Sequence, residues 1–317
     1  MNYIVTQVAK PKENKVPQMK NKSLKTVEDA MSVYLKNAIV SLASAKIQNP
    51  DARCILNCNF EIDAHLKAVA EQAQIEIHQV PYGAFKSREE FAWVITQYKY
   101  DSMAYVLGLM EEKDCMVLLD TDTVCVRNMA EIFEEAKHAL ILYAMYHGYL
   151  QEKRQSIIRN CQKLYQLEHA NLVHYGGEFF AGSKEILTAF ISHSETVIRK
   201  AREQDDLEPW DDEHILSIVA EHFMKEQIYP ASAYICRYWT NKFYLVSTNF
   251  HYNPVHIWHL PAEKNYGMIT LYEYFEKNHK FPNITKMAKI MGFPSIKYKK
   301  WNFYRWKVLI RNKFRGR

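Results

Sequence analysis

The chain has 317 residues, of which 48% are hydrophobic and 24% charged, and its formal net charge is +5. These values are typical of a globular protein with one large core, or with one core and an appendage. The sequence contains neither an apolar run of about 18 residues nor a signal-peptide-like apolar stretch near its start, so neither a membrane-spanning nor a secreted protein is expected. Six scattered cysteines without a Cys-x-x-Cys pair predict reduced thiols in a cytoplasmic protein.

The first part of the sequence alternates predicted strands and helices. Strands are predicted at 2–8, 53–60, 75–80 and 116–119, and helices at 26–46, 62–73 and 87–110. Thr26 is expected to cap the first helix, and Ser87 with Glu90 to form a capping box at the third. Residues 10–25, rich in lysine, are a predicted loop. This order predicts an α/β fold with a mostly parallel sheet flanked by helices and right-handed crossovers.

Two carboxylates directly follow the fourth predicted strand. Residues 116–119 are apolar, and Asp120 and Asp122 come next with one residue between them. Because ligands of open α/β sheets bind at the carboxyl ends of the strands, these side chains are expected at a binding site. Two hard oxygen ligands suit Mg²⁺ or Mn²⁺, which would in turn hold a diphosphate. The alternative is a strand end whose acids only cap a turn or the next helix.

Glycine-rich phosphate-binding loops are missing from the sequence. Neither GxGxxG nor GxxxxGK[ST] occurs, and the chain has only nine glycines. The phosphates of a nucleotide would have to be held in another way, and a metal ion assisted by basic side chains would do so. This absence favours the metal interpretation of the two aspartates.

Two further segments combine residues suited to a ligand site. Gly176, Gly177 and Glu178 precede an apolar strand, and paired glycines permit either a close backbone approach or a plain turn. Residues 210–214, Trp-Asp-Asp-Glu-His, place three acids at a predicted helix start. These acids either favour the helix dipole or supply a base or nucleophile, and their crowding would raise the pKa of one of them.

Basic and amide side chains elsewhere are additional candidates. His259 and Lys264 would complete the metal shell and neutralise phosphate, or they are ordinary core and surface residues. Asn57, near the end of the second strand, would bind the base or ribose, or only shape a turn. Lys99, on the helix before the metal strand, would reach a phosphate or remain solvated.

Together, these motifs resemble those of GT-A glycosyltransferases, nucleotide-sugar enzymes with a Rossmann-like fold and an Asp-x-Asp metal site. The closest resemblance is to the retaining enzymes of glycosyltransferase family six, which include the blood-group A and B enzymes and α-galactosyltransferases. That family carries Asp-x-Asp, then a Tyr-Tyr-Gly-Gly-x-Phe-Phe-Gly-Gly-like strand, then Trp-His-Asp-Glu-Ser. Here Asp120-Thr-Asp122, residues 175–182 and residues 210–214 follow at similar intervals. The resemblance covers about residues 100–225.

The resemblance implies roles for individual residues. Asp120 and Asp122 would bind Mn²⁺ or Mg²⁺ and the diphosphate of a nucleotide sugar, a UDP-sugar above all. Glu213 would be the nucleophile or would stabilise an oxocarbenium-like transition state. Asp212 would bind hydroxyl groups of the donor sugar, and Trp210 would form part of the acceptor platform.

Three departures from the family pattern stand beside these assignments. The segment 176–178 would line the sugar pocket, but Glu178 stands where family six usually has a small residue. Asp211 replaces the histidine of the family motif, and His256 with His259 resembles family eight instead. Retention of the anomeric configuration is therefore expected, and inversion is the open alternative. Val5 and Thr6, in the first strand, complete the candidates for nucleotide binding.

The expected function is metal-dependent transfer of a sugar from a nucleotide-sugar donor to a glycan or lipid-linked glycan, with residues 1–262 as the catalytic domain. One alternative is a haloacid-dehalogenase-type phosphatase, with Asp120 as nucleophile and Asp122 as acid/base. Its motif normally opens the catalytic core, whereas three predicted βα units precede it here. Another alternative is a non-catalytic peripheral membrane adaptor that keeps the sheet.

Residues 263–317 are predicted to form a helical, basic and aromatic appendage. Residues 296–317 contain nine lysines and arginines and no acid, so the rest of the chain carries −4 of the total charge of +5. Five large aromatic side chains are interleaved with these cations: Trp301, Phe303, Tyr304, Trp306 and Phe314. Such a mixture suits an anionic membrane surface or nucleic acid. Since no second basic patch is obvious, peripheral membrane association and no nucleic-acid partner are expected.

Overall fold

The computed structural model describes residues 1–11, 26–87, 94–145, 151–168, 172–240 and 255–293. Within these ranges the strands are β1 (Asn2–Val8), β2 (Arg53–Cys58), β3 (Ile75–Gln79), β4 (Cys115–Leu119), β5 (Thr123–Cys125), β6 (Leu140–Ala144), β7 (Tyr175–Ser183), β8 (Ile228–Pro230), β9 (Ile235–Arg237) and β10 (Ile257–His259). The α-helices are α1 (Val27–Gln48), α2 (Ala64–Gln72), α3 (Tyr98–Leu107), α4 (Ala130–Glu135), α5 (Gln151–Tyr165), α6 (Lys184–Glu203), α7 (Asp212–Phe223), α8 (Gly267–Asn278) and α9 (Ile284–Ile290).

Seven strands form the main sheet in the order β3-β2-β1-β4-β7-β6-β8. Strands β1 to β4 are parallel, whereas β7 runs antiparallel to both β4 and β6, and β8 is parallel to β6. A smaller sheet, β5-β10-β9, begins just after β4 along the chain. The predicted α/β fold with a mostly parallel sheet is confirmed; the antiparallel direction of β7 was not predicted.

Strand β4 lies inside the main sheet, between β1 and β7, and hydrophobic side chains cover both of its faces. Val117 and Leu119 belong to the hydrophobic layer that also contains the buried side chains of α1 and α8. Met116 and Leu118 belong to the opposite layer, with buried side chains of α3, α6 and α7. A parallel strand that is covered on both faces must be apolar throughout, which explains the continuous run before Asp120.

The predicted start of α1 is confirmed in detail. The Thr26 hydroxyl accepts a hydrogen bond from the Asp29 amide at 3.0 Å, and the Asp29 carboxylate accepts one from the Thr26 amide at 3.1 Å. This capping box satisfies two backbone donors that the first helical turn leaves without an internal partner.

The helix predicted at 87–110 is formed only in part. A 3-10 turn at Val94–Gln97 leads into α3. Ser87 does not cap a helix in the described residues; its amide donates to Gln97 Oε1 at 2.7 Å, and Gln97 Nε2 donates to its hydroxyl at 2.8 Å. Glu90, the other half of the predicted capping box, lies outside the described residues.

Helix α8 is part of the core. Met268, Leu271 and Phe275 are buried in the same hydrophobic layer as α1. The basic and aromatic segment 296–317 lies outside the described residues, so a division of the chain near residue 262 stays a prediction. None of the described helices has the length and apolarity required to cross a bilayer.

Leu118→Ala should destabilise the protein by about 2–5 kcal/mol, because this fully buried side chain fills the layer between β4 and the helices. Urea unfolding followed by circular dichroism measures the loss. The matched control is Leu109→Ala, at a position that is 37% exposed, where a cost below about 1 kcal/mol is expected. Equal losses in the two variants would contradict the central position of β4.

Candidate functional site

A cavity of about 1400 Å³ opens where β1 and β4 end. Its polar and ionisable lining includes Gln7, Lys99, Asp120, Asp122, Lys153, Asp211, Asp212, Glu213, Arg237, His259 and Lys264. The volume exceeds the roughly 300–1,000 Å³ of pockets for one drug-sized ligand. The cavity therefore has room for two substrates side by side.

Asp120 and Asp122, which follow β4, lie close to His259, the last residue of β10. Possible ligand atoms of Asp120, Asp122 and His259 lie within 4.8 Å of one another. Asp122 is fully buried, and neither of its carboxylate oxygens accepts a hydrogen bond from the described residues. His259 Nε2 and Lys264 Nζ each lie 3.3 Å from its Oδ2. A buried carboxylate needs cations around it, and two carboxylates with one imidazole are a suitable donor set for a divalent metal. These residues fit a divalent metal ion.

The charges of Asp122, His259 and Lys264 shift the pKa values of their neighbours. Burial would raise the pKa of Asp122, but Lys264 and His259 together bring it below the usual range. Burial would lower the pKa of His259, but Asp122 and Glu178 raise it to about 9. In the metal-free protein, His259 therefore carries a proton that helps to neutralise Asp122. A bound metal would take the place of that proton.

Behind His259 lies a second carboxylate. Glu178, on β7, is fully buried, and its Oε1 lies 3.1 Å from His259 Nδ1. Arg237, on β9, donates to both oxygens of Glu178, from Nε at 2.8 Å and from Nη2 at 2.6 Å. Burial opposes ionisation of Glu178, but Arg237 and His259 lower its pKa to about 2. Glu178 is thus a paired carboxylate behind the metal group, and unlike Glu213 it does not border the cavity.

The start of α7 presents three acids to the cavity because Asp211 caps the helix. Asp211 Oδ1 accepts from the amides of Glu213 at 3.1 Å and His214 at 3.3 Å. Glu213 then faces three bases: Lys153 Nζ at 2.6 Å, His174 Nε2 at 3.0 Å and Arg237 Nη2 at 3.5 Å. Lys153 also forms an ion pair with Asp211.

Asp212 is held from the other side of β7. Lys99, on α3, forms an ion pair with Asp212, lies 3.6 Å from Asp120 and donates to the Gly177 carbonyl at 2.6 Å. A Cβ atom on Gly177 would overlap the Asp212 carboxylate and the Lys99 ammonium. A Cβ on Gly176 would overlap Glu178 and crowd Arg237. The paired glycines predicted to permit a close approach therefore make room for two ion pairs.

The neighbouring acids Asp212 and Glu213 differ in their ionisation. Burial and the charges of Asp211 and Glu213 raise the pKa of Asp212, against the opposing effect of Lys99. Burial also opposes ionisation of Glu213, but Lys153, His174 and Arg237 lower its pKa well below the usual range. Glu213 is consequently an anion at neutral pH, as a nucleophile or a stabiliser of positive charge must be.

Among the described residues, the cluster contains more carboxylates than permanent cations. Its carboxylates are Asp120, Asp122, Glu178, Asp211, Asp212 and Glu213, and its permanent cations are Lys99, Lys153, Arg237 and Lys264. Counting only these carboxylates and permanent cations, six acids and four bases leave two negative charges, one of which the His259 proton offsets in the metal-free protein. One divalent cation would neutralise them.

Several predicted residues lie elsewhere. Val5, Thr6 and Asn57 are fully buried in the main sheet. The Thr6 hydroxyl donates to the Leu119 carbonyl at 2.8 Å, and Asn57 Nδ2 donates to the Ser102 hydroxyl at 2.7 Å. These side chains hold neighbouring elements together. The cavity lining at β1 starts instead at Gln7 and continues through Val8 and Ala9.

Trp210 is also displaced from its expected position. It is 1% exposed, belongs to the hydrophobic layer of α6 and α7 and does not border the cavity. Sequence reasoning missed Lys153, His174 and Arg237, which surround Glu213. No local motif marks them, and only the need to pair three adjacent acids at residues 211–213, which are largely shielded from solvent, signals that such bases must exist.

No protein-family model matches the chain, and none of the curated proteins matches it. Among solved structures, the galactosyltransferase LgtC in complex with donor and acceptor sugar analogues is similar over 94% of this chain and 98% of its own, with TM-score 0.52 and 13% identity. An active-site mutant of LgtC matches over 81% and 86%, with TM-score 0.51 and 14% identity. Mouse xyloside xylosyltransferase 1, in its apo form, is similar over 83% of this chain and 99% of its own chain, with TM-score 0.47 and 12% identity.

The two LgtC structures establish the fold. The chain has the α/β fold of GT-A glycosyltransferases, as the sequence predicted. The narrower resemblance to glycosyltransferase family six is not confirmed, since no family model matches.

Gly177→Ala should destabilise the protein by about 1–3 kcal/mol, because the added methyl group would displace the buried Lys99–Asp212 ion pair. Thermal and urea unfolding measure the effect. Gly108→Ala, at the end of α3, is the control: its Cβ would meet only the Tyr105 carbonyl, at 3.2 Å, and a change within about 1 kcal/mol is expected. A neutral effect at Gly177 would contradict the tight packing of this pair.

Proposed function

We propose that the chain is a metal-dependent glycosyltransferase that moves a sugar from a nucleotide-sugar donor, foremost a UDP-sugar, to a glycan or lipid-linked glycan. One observation carries the proposal. A metal-suited group (Asp120, Asp122 and His259) and an ionised carboxylate (Glu213) face the same cavity. The fold shared with LgtC supports this assignment.

The donor would lie along the ends of β1 and β4. Gln7 and the residues that follow it border the cavity and are our candidates for contact with the base, in place of Val5, Thr6 and Asn57. A divalent metal held by Asp120, Asp122 and His259 would offset the negative charge of the departing diphosphate.

Lys264 and Lys99 have different proposed roles. Lys264 lies at the cavity, beside Asp122, with 21% of its side chain exposed, and is our candidate for phosphate contact. Lys99 is only 3% exposed and is occupied by Asp212 and the Gly177 carbonyl. We therefore assign Lys99 to holding the carboxylates and not to binding phosphate.

The sugar would lie between the metal group and α7. Glu213, kept ionised by its three bases, would stabilise positive charge at the anomeric carbon or attack it. Attack by Glu213 would form a glycosyl ester of the enzyme with inverted configuration while the bond to the diphosphate breaks. Attack on that ester by an acceptor hydroxyl, which gives up its proton, would release Glu213 and invert the centre again, so the net outcome that we propose is retention of configuration. Asp212, next to it, would contact donor hydroxyls.

Asp122→Asn should abolish metal-dependent nucleotide binding, because a neutral amide replaces a fully buried metal ligand. Calorimetric titration of UDP into the protein, with and without Mn²⁺, measures this. Asp63→Asn, at the exposed cap of α2, is the matched control and should bind like the wild type, since asparagine also caps helices. Wild-type affinity in Asp122→Asn would remove the metal assignment.

Glu213→Gln should leave UDP and Mn²⁺ binding nearly unchanged and reduce the rate of donor hydrolysis at least about hundredfold, since it removes the charge that faces the sugar. Glu221→Gln, on the same helix, is the control; Glu221 accepts from the Tyr175 hydroxyl at 2.9 Å, which a glutamine oxygen can also do. A wild-type rate in Glu213→Gln would refute its role.

We also propose that the acceptor is presented at a membrane surface, on the basis of the nine cations and five large aromatic residues of 296–317. Deleting 296–317 should lower binding to vesicles that contain phosphatidylserine, with little change for vesicles of phosphatidylcholine alone. Vesicle sedimentation at two salt concentrations measures this, and UDP binding in the presence of Mn²⁺ serves as the folding control. Equal sedimentation of both chains would refute the proposal.

A further inference from the structure

Arg237 contacts both halves of the cavity. Its guanidinium forms a two-point pair with Glu178 and also lies 3.5 Å from Glu213. Arg237 and His259 are direct neighbours in the parallel pairing of β9 and β10. The arginine side chain is 10% exposed and Glu178 is wholly buried. Such a pair is expensive to desolvate, and in the described structure its position behind the metal group is its most evident use.

Glu178 touches two of the three candidate metal ligands. Its carbonyl oxygen accepts a hydrogen bond from the Asp120 amide at 3.1 Å. Its carboxylate oxygen Oε1 lies 3.1 Å from His259 Nδ1, the ring atom remote from Asp122. A histidine that donates from one nitrogen to a carboxylate presents the lone pair of the other nitrogen to a metal. Glu178 therefore fixes both the strand end that carries Asp120 and the ring of His259.

We propose that Arg237 and Glu178 form a positioning pair: Arg237 locks Glu178, and both contact Nδ1 of His259 and so orient its ring toward the metal. Arg237 Nη2, which donates to Glu178, also holds Glu213. The pair would align the metal side and the sugar side of the cavity with each other. This inference rests on the proposed function, and it assigns Glu178 a role other than contact with the donor sugar.

The chain contains a matched pair far from the cavity. Arg53, on β2, donates to Glu76, on β3, from Nε at 2.8 Å and from Nη2 at 2.6 Å, the same lengths as in the Arg237–Glu178 pair. Neither Arg53 nor Glu76 borders the cavity described above. Substitutions there remove a two-point pair with the same hydrogen-bond lengths, although a more exposed one, without touching the candidate ligands.

The test measures Mn²⁺ dissociation constants, from the electron paramagnetic resonance signal of free Mn²⁺, for the folded full-length chain. Glu178→Gln and Arg237→Gln should each raise the constant about tenfold to hundredfold. Arg237→Lys keeps the charge but cannot form the two-point pair with Glu178, so an intermediate rise of the dissociation constant is expected. Arg53→Gln and Glu76→Gln should stay within about twofold of the wild type. The double variant Arg237→Gln with Glu178→Gln should bind Mn²⁺ no more weakly than the weaker-binding single variant, because the two residues act as a unit.

A second readout separates the two ends of the pair. At saturating Mn²⁺, Glu178→Gln should recover most of the donor-hydrolysis rate, whereas Arg237→Gln should remain slow because Glu213 has lost its contact. Full recovery of both variants would overturn the link to Glu213. Mn²⁺ constants within twofold of the wild type in folded Glu178→Gln and Arg237→Lys would overturn the link to the metal, even where Arg237→Gln fails to fold. A wild-type chain that binds no Mn²⁺ would refute the proposed function and this inference together.

Discussion

The buried ion pairs around β7 are the constraint on which the site depends. Glu178 and Arg237 lie against Gly176, and Asp212 and Lys99 lie against Gly177, so one strand carries an ion pair beside each of two adjacent glycines. Charges taken out of water are tolerated only when partners and hydrogen bonds surround them. Each partner comes from a different element, so the pairs also fix the relative positions of α3, β7, α7 and β9.

This arrangement explains which parts of the site the sequence could predict. Asp120 and Asp122 were predictable because a strand covered on both faces must be apolar, so its end is marked by the first acids. His259 was predicted to complete the metal shell, and its Nε2 lies 3.3 Å from Asp122 Oδ2 although the two residues are far apart in the chain. The glycine pair signalled a close approach, but the approaching groups are ion pairs of the protein itself.

The differences between expectation and structure have equally specific causes. Val5 and Thr6 were expected at the nucleotide because they lie on the first strand, but both side chains are buried, and the Thr6 hydroxyl donates to the Leu119 carbonyl. Trp210 stands beside the acids in sequence, yet an indole buries more area in the core than at a polar rim. Arg237 has no motif around it, and its partner Glu178 is 59 residues away, so pattern reading had no means of finding it.

The cost of the cluster argues for function over stability. Replacing a buried ion pair by apolar residues of similar size is often neutral or stabilising, so folding alone gives little reason to keep so many charges under cover. What the charges provide is a fixed negative potential: Asp122 stays ionised beside Lys264 and His259, and Glu213 stays ionised through Lys153, His174 and Arg237. Fixed dipoles and charges that need not reorganise are the main source of electrostatic catalysis. The same rigidity that makes β7 intolerant of a Cβ atom therefore keeps the metal side and the sugar side in register.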